Sequence, residues 1–209
     1  MRIGIIMIAV FMTINLFADE AIKLPAPDKT GGMPLMEALN NRQTNRNFSE
    51  KELNHQQLSN LLWAAWGINR ENGKRTAPSA VNWQEIDIYV TLRDGAYRYD
   101  AQGHELELIT DKNIMEYTGT QAFTRKAALN LVYVADYTKM SRDMDDNARK
   151  HYSWVDTGYI SQNVYLYCAS EGLATVVIGM VDREELRSHL PLQERQKIVL
   201  TQTVGYPAK

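Results

Sequence analysis

Three short stretches of this chain hold residue types that could bind or react with something. In Arg42-Gln43-Thr44-Asn45-Arg46, two arginines flank a hydroxyl just past the apolar positions Leu35, Met36 and Leu39. Forked guanidinium donors match a tetrahedral oxyanion and the threonine adds a hydroxyl, which is the set a phosphate monoester needs; taken alone, the same residues also fit a solvated helix end. In Arg75-Thr76-Ala77-Pro78-Ser79-Ala80-Val81-Asn82-Trp83-Gln84, a polar loop leads into an alternating apolar run, where its amides and hydroxyls could line a pocket. Between Glu171 and Asp182 the run Val176-Val177-Ile178 stops at Gly179, which lets backbone N–H groups approach a flat ligand.

Signatures of other chemistries are missing from the sequence. The 4 histidines, His55, His104, His151 and His189, are scattered with no pair at helical spacing and read as surface or capping residues rather than metal ligands. Asp143, Asp145 and Asn147 imitate the start of a calcium loop, but Ala148 and Trp154 stand where glycine and glutamate are required. No nucleophile elbow, Walker loop or G-x-G-x-x-G is present. Cys168, the single cysteine, lies inside a helical pattern and reads as a buried small hydrophobe.

The elements that must position these stretches follow from periodicity. Pro34 is placed to open a helix. Asn54 can cap a second, with Leu58, Leu61, Leu62 and Ala65 on one face and Gly67 at its end. Ile86, Ile88, Val90 and Leu92 alternate as a strand; Asp94-Gly95 and Gln102-Gly103 turn it into a meander through Tyr97, Tyr99, Leu106 and Leu108. Leu129 to Ala135 reads as an inner strand, and Ser141 to Glu171 as a long helix stopped by Gly172. A short strand from Thr175 to Ile178, a helix opened by an Asp182/Glu185 capping box, and a last strand from Ile198 to Val204 complete an α+β pattern.

Composition agrees with one folded domain: 209 residues, 44% apolar and 23% charged. A formal charge of −2 leaves no basic excess for a nucleic acid. Ile3 to Phe17 is almost continuously apolar, too short to cross a bilayer comfortably and suited to the core of a secretory signal, with cleavage after Ala18. Asp19 to Met33 then forms a lead-in arm and residues 34–209 the folded domain, with no stable membrane insertion once the signal is removed. An uncleaved N-terminal anchor is the alternative.

In their order, the three stretches resemble the FMN-dependent nitroreductase superfamily, and most closely its branch that includes the azoline oxidases of peptide-modifying clusters. The resemblance covers nearly all of residues 34–207 and includes Asp156-Thr157-Gly158, Gln162-Asn163-Val164-Tyr165-Leu166, the Tyr97-to-Leu108 meander and Gly205-Tyr206-Pro207. It implies a central, mostly antiparallel sheet flanked by helices, in an intertwined homodimer with two FMN sites at the subunit interface. Carried over by position, Arg42, Gln43, Thr44 and Arg46 hold the phosphate and ribityl chain, with both arginines on the phosphate. Pro78, Ser79, Asn82 and Gln84 lie along the isoalloxazine from the other subunit. Val177, Ile178 and Gly179 reach the reactive nitrogen, and Lys126, in Phe123-Thr124-Arg125-Lys126, approaches the ring edge. Two departures stand out: Glu85 where many relatives carry proline, and Lys209 in place of a longer basic tail, either completing the phosphate site alone or leaving it to the arginines.

The activity implied is ping-pong exchange of hydride between a donor and a small acceptor, nitroaromatic or quinone-like, with no dedicated catalytic side chain. An azoline-type peptide dehydrogenase, a non-catalytic exported flavin-binding protein and a relic that binds no flavin are the alternatives. Joined to the signal segment, the resemblance implies a periplasmic enzyme whose physiological donor is not NADH or NADPH, although these could serve in vitro. An uncleaved chain would be cytoplasmic or N-terminally anchored.

Overall fold

A computed structural model describes residues 21–209; the export segment expected at Met1–Ala18 lies outside the described residues. Seven strands form one sheet: β1 (Ile22–Lys23), β2 (Ile86–Leu92), β3 (Gly95–Asp100), β4 (Glu105–Thr110), β5 (Leu129–Asp136), β6 (Ala174–Ile178) and β7 (Gln196–Gly205). Their order is β1-β4-β3-β2-β5-β7-β6, and every neighbouring pair is antiparallel. Among the described residues, four α-helices accompany them: α1 (Leu35–Asn41), α2 (His55–Trp66), α3 (Asp146–Glu171) and α4 (Arg183–Ser188). The α+β class and the antiparallel meander read from the sequence are both present.

Strand alternation gives the two faces of β5 different cores. On β5, Leu129, Leu131, Tyr133 and Ala135 face a core shared with Leu58, Leu61 and Leu62 of α2 and with Ile160, Val164 and Cys168 of α3. Val132 and Val134 face a second core with Ile114, Ile178 and Leu186. Both faces of β5 are therefore covered, which is why its sequence is densely apolar, with Asn130 the polar exception between Leu129 and Ala135. The capping residues act as their types predict. Asn54 accepts the Gln57 N–H at 2.8 Å and Gln57 answers the Asn54 N–H at 3.2 Å. Gly172 closes α3 in the left-handed conformation, φ 67.

Three local expectations are corrected. The long helix starts at Asp146 on an Asp145 cap rather than at Ser141. Asp182 caps α4 through the Glu185 N–H at 3.1 Å, but the Glu185 side chain pairs with His189 at 3.3 Å instead of closing a capping box. His104 is neither a surface nor a capping residue. Its Nε2 lies 2.7 Å from Ser59 Oγ and its Nδ1 lies 2.9 Å from the Tyr99 hydroxyl. Because Ser59 gives its own proton to the Pro25 carbonyl at 2.6 Å, the Nε2 of His104 must donate and its Nδ1 accept. Burial, first among the causes, pushes His104 below its ordinary value and keeps it neutral, tying the lead-in arm to the sheet.

Candidate active site

The arginine stretch begins where α1 ends. Arg42 donates its N–H to Ala38 at 2.9 Å and turns the chain out of the helix at φ −58, ψ 119. Asn45 then donates to the Thr175 carbonyl at 3.1 Å, clipping the stretch to the outer edge of β6. Downstream, Ser49 donates to Tyr206 at 2.9 Å and Ala208 to Asn47 at 3.0 Å, so the residues before Lys209 run beside the arginine stretch. The Arg42 guanidinium sits 5.5 Å from the centre of the Tyr165 ring. The Tyr165 hydroxyl lies 3.1 Å from Thr44 Oγ1 and accepts the Val177 N–H at 3.1 Å. One tyrosine on α3 thus joins the hydroxyl of the arginine stretch to the backbone of the β6 strand end. Among the described residues, neither Arg42 nor Arg46 is paired with a carboxylate.

The Lys126 stretch meets the same strand end from the other direction. Asn130, buried in β5, donates its amide to the Thr124 carbonyl at 2.9 Å, and Thr203 donates to the Asn130 amide oxygen at 2.6 Å. Thr201 holds the Thr118 carbonyl at 2.5 Å, and Thr120 donates to Met180 at 3.3 Å. The Phe123 ring lies 5.7 Å from Phe48, which bridges to Pro207. Lys126 itself is exposed. Gly179 is exposed too, and a methyl group added there would have only Leu200 Cδ2 for company, at 3.9 Å. Packing within the chain does not demand a glycine at this position; the space in front of it is open.

The 78–84 loop is assembled differently. Val81, Asn82 and Gln84 all adopt left-handed backbone angles, φ 51, 57 and 49, each at a cost of about 1–3 kcal/mol. Ser79 Oγ accepts the Gln84 N–H at 3.0 Å, and Asp156 Oδ2 on α3 accepts the Ala80 N–H at 2.9 Å. The Gln84 amide turns inward: its oxygen accepts from Arg75 at 2.7 Å, and its nitrogen donates to Gly73 and Asn82, both at 3.2 Å. Arg75 is in turn anchored on the Trp66 carbonyl at 2.8 Å and over the Trp66 ring at 4.9 Å. Pro78, Val81 and Asn82 are left facing solvent.

The structure therefore joins Arg42–Arg46 to Val177–Gly179 through Tyr165, runs the segments that precede Lys126 and Lys209 beside them, and anchors Pro78–Gln84 at a different turn of α3. Asp156 and Tyr165, the α3 residues that anchor the two groups, are separated by about two and a half helical turns, which puts them roughly 13 Å apart on opposite sides of the helix. Tyr165 is the site residue that sequence reasoning missed, since its motif placed it on a helix without saying which way it points. Cys168 is buried and its thiol is pushed up by that burial, consistent with a packing role.

The family model for the nitroreductase family matches residues 39–206. The chain belongs to the nitroreductase family. As a nitroreductase it is an oxidoreductase. Among its relatives, a protein of Methanocaldococcus jannaschii carrying a provisional nitroreductase name is 31% identical over 185 residues, covering 84% of this chain and 92% of the relative. A crystal structure from Ralstonia eutropha, also provisionally named a nitroreductase, superposes with a TM-score of 0.85 at 44% identity, covering 90% of each chain. The NADPH:FMN oxidoreductase of Vibrio harveyi, solved with NAD+, shares the fold at a TM-score of 0.63 and 21% identity, over 84% of this chain and 69% of that one.

Proposed function

We propose that this flavin-dependent oxidoreductase takes FMN, with the phosphate on Arg42 and Arg46 and the isoalloxazine against Val177–Gly179. The observation that carries the reading is the continuous link from the unpaired arginine forks through Thr44 and Tyr165 to the Val177 backbone, because one face then offers cations at one end and an open strand end at the other. Lys126 and Lys209 add positive charge around that face. When bound, FMN supplies reversible hydride transfer, and the protein's part is orientation and electrostatics. The arginines would hold the phosphate, the strand end would orient the ring, and Lys126 would supply positive charge at its edge.

The rest of the pocket comes from a second copy. Pro78, Ser79 and Asn82 belong to the loop that Asp156 anchors, about two and a half turns of α3 from Tyr165 and on the other side of that helix, and exposed apolar side chains lie on the same helix. Tyr152, Val155 and Tyr159, at helical spacing on α3, are 41%, 41% and 48% exposed; Leu35 and Met36 on α1 are 63% and 76% exposed. Such a stripe on a folded chain marks a contact surface. The acceptor is a small, flat, electron-poor compound, a nitroaromatic or a quinone, exchanging with the donor at one open ring face by a ping-pong order. Export is part of the reading: the mature chain begins at or near Asp19, and N-terminal sequencing of protein from fractionated cells tests it.

The decisive experiment is the visible spectrum of the purified protein. A yellow dimer that bleaches with a reductant and regains its colour with a quinone is the expected result. A chain that stays colourless after FMN is added overturns the flavin site, and a yellow protein that never regains its colour with any acceptor overturns turnover.

A further inference from the structure

Two carboxyl groups that the proposed chemistry does not use meet beneath the 78–84 loop. Glu85, the residue that follows the loop, is fully buried, and neither of its carboxylate oxygens has a hydrogen-bond donor. Asp156, on α3, is 2% exposed, and its Oδ2 accepts the Ala80 N–H at 2.9 Å. The charged groups acting on Glu85 are Asp156 and Lys139, on the turn after β5; the Lys139 ammonium is already committed to Asp87 at 2.7 Å. Two ionised carboxylates facing each other in a dry interior, with no cation of their own, repel strongly, so such a pair keeps one proton between them. Burial, reinforced by the Asp156 charge, pushes Glu85 up to about 7, and burial raises Asp156 as well.

The tie matters because of what it holds. Val81, Asn82 and Gln84 all sit in left-handed conformations that relax unless the loop is fastened at more than one point. Arg75 fastens its downstream end through Gln84, and Asp156 fastens its upstream end through Ala80. We propose that Glu85 and Asp156 are positioning residues for the flavin loop: sharing one proton, they keep Asp156 on the Ala80 N–H, and losing it they part and slacken the loop. This rests on the reading that the loop contacts FMN. Binding of FMN then weakens as the pair ionises, because the complex holds the proton that the free protein has released.

The test is FMN titration of the full chain, followed by flavin fluorescence at pH 6 and pH 8.5, for the native protein, Glu85→Gln and Asp156→Asn. Each variant places a fixed amide N–H where the shared proton lies. The native affinity is expected to fall about tenfold or more over that range, while either variant keeps the native pH 6 affinity at both values. The phosphate of FMN ionises near pH 6 in all three titrations and cancels in the comparison. Variants that weaken with pH as the native protein does, or a native profile that is flat, overturn the proposal. If neither variant folds, hydrogen exchange at the Ala80 amide of the native protein decides: it should accelerate beyond the intrinsic pH dependence, and failure to do so overturns the tie. A native protein that binds no FMN at pH 6 overturns the flavin reading, and this inference with it.

Discussion

Around Tyr165, two stretches distant in sequence meet with relaxed backbones; none of Arg42–Arg46 or Val177–Gly179 has a positive φ. In the 78–84 loop, three residues close in sequence take left-handed angles and are fastened by Arg75 and Asp156. The first region is put together by long-range hydrogen bonds whose removal changes what the surface can bind. The second stores strain locally, so its shape depends on braces from outside the loop. Substitutions in the two regions should therefore fail differently, the first in affinity and the second in pH response and assembly.

The largest effect is expected where the cations stand alone. Arg42→Ala and Arg46→Ala should each cost about 1.5–3 kcal/mol of FMN binding, and the double variant should nearly abolish it, with the thermal stability of the free protein little changed. Riboflavin, which lacks the phosphate, should respond to neither substitution. Fluorescence titration of both flavins checks this, and equal losses for the two would break the phosphate assignment.

A smaller effect should come from the surface between the two regions. Tyr159→Arg places a charge on the exposed apolar stripe of α3 without disturbing the core. Sedimentation should show dissociation, with FMN released in step, as the proposed two-copy pocket requires. A monomer that retains stoichiometric FMN would mean that the 78–84 loop serves no partner.

Stability against pH sharpens the contrast further. Because the buried Glu85 is raised from 4.5 to about 7, the folded state holds a proton that the unfolded chain gives up. Stability is then full below about pH 4.5, declines as pH rises toward 7 and is level above that, a change on the order of 3 kcal/mol. Urea unfolding at pH 5 and pH 7.5 measures it, and Glu85→Gln should remove that component. The smallest effect belongs to Tyr165→Phe. It deletes one hydroxyl between Thr44 and Val177 and should weaken FMN binding by about 1 kcal/mol, leaving urea unfolding nearly unchanged.

Much of this was legible beforehand where the cause is local. Asn54 opens a helix and Gly67 and Gly172 end helices because backbone groups at a terminus need partners within a few residues, and the alternation of Ile86, Ile88 and Val90 reports which side of one strand faces the core shared with α2 and α3. The two-residue β1 was not legible, since Ile22–Lys23 becomes a strand only by pairing with Glu105–Leu106. Nor was the inward turn of Gln84, because its partners Arg75 and Gly73 belong to a separate turn folded back beside it.

By itself, the amino-acid sequence determined the longer helices and strands, the α+β class and the residue types that can grip a phosphate, because periodicity, capping and side-chain chemistry act over a few residues. Tertiary structure decided which of those residues share a surface. Tyr165 reaches Thr44 and Val177 only because α3 lies across the edge formed by β6, and Glu85 finds Asp156 only because the start of β2 packs against another turn of that helix. Contacts between distant segments depend on sheet order and helix placement, which are settled by burying both faces of the sheet at once, and no short window of sequence contains that condition.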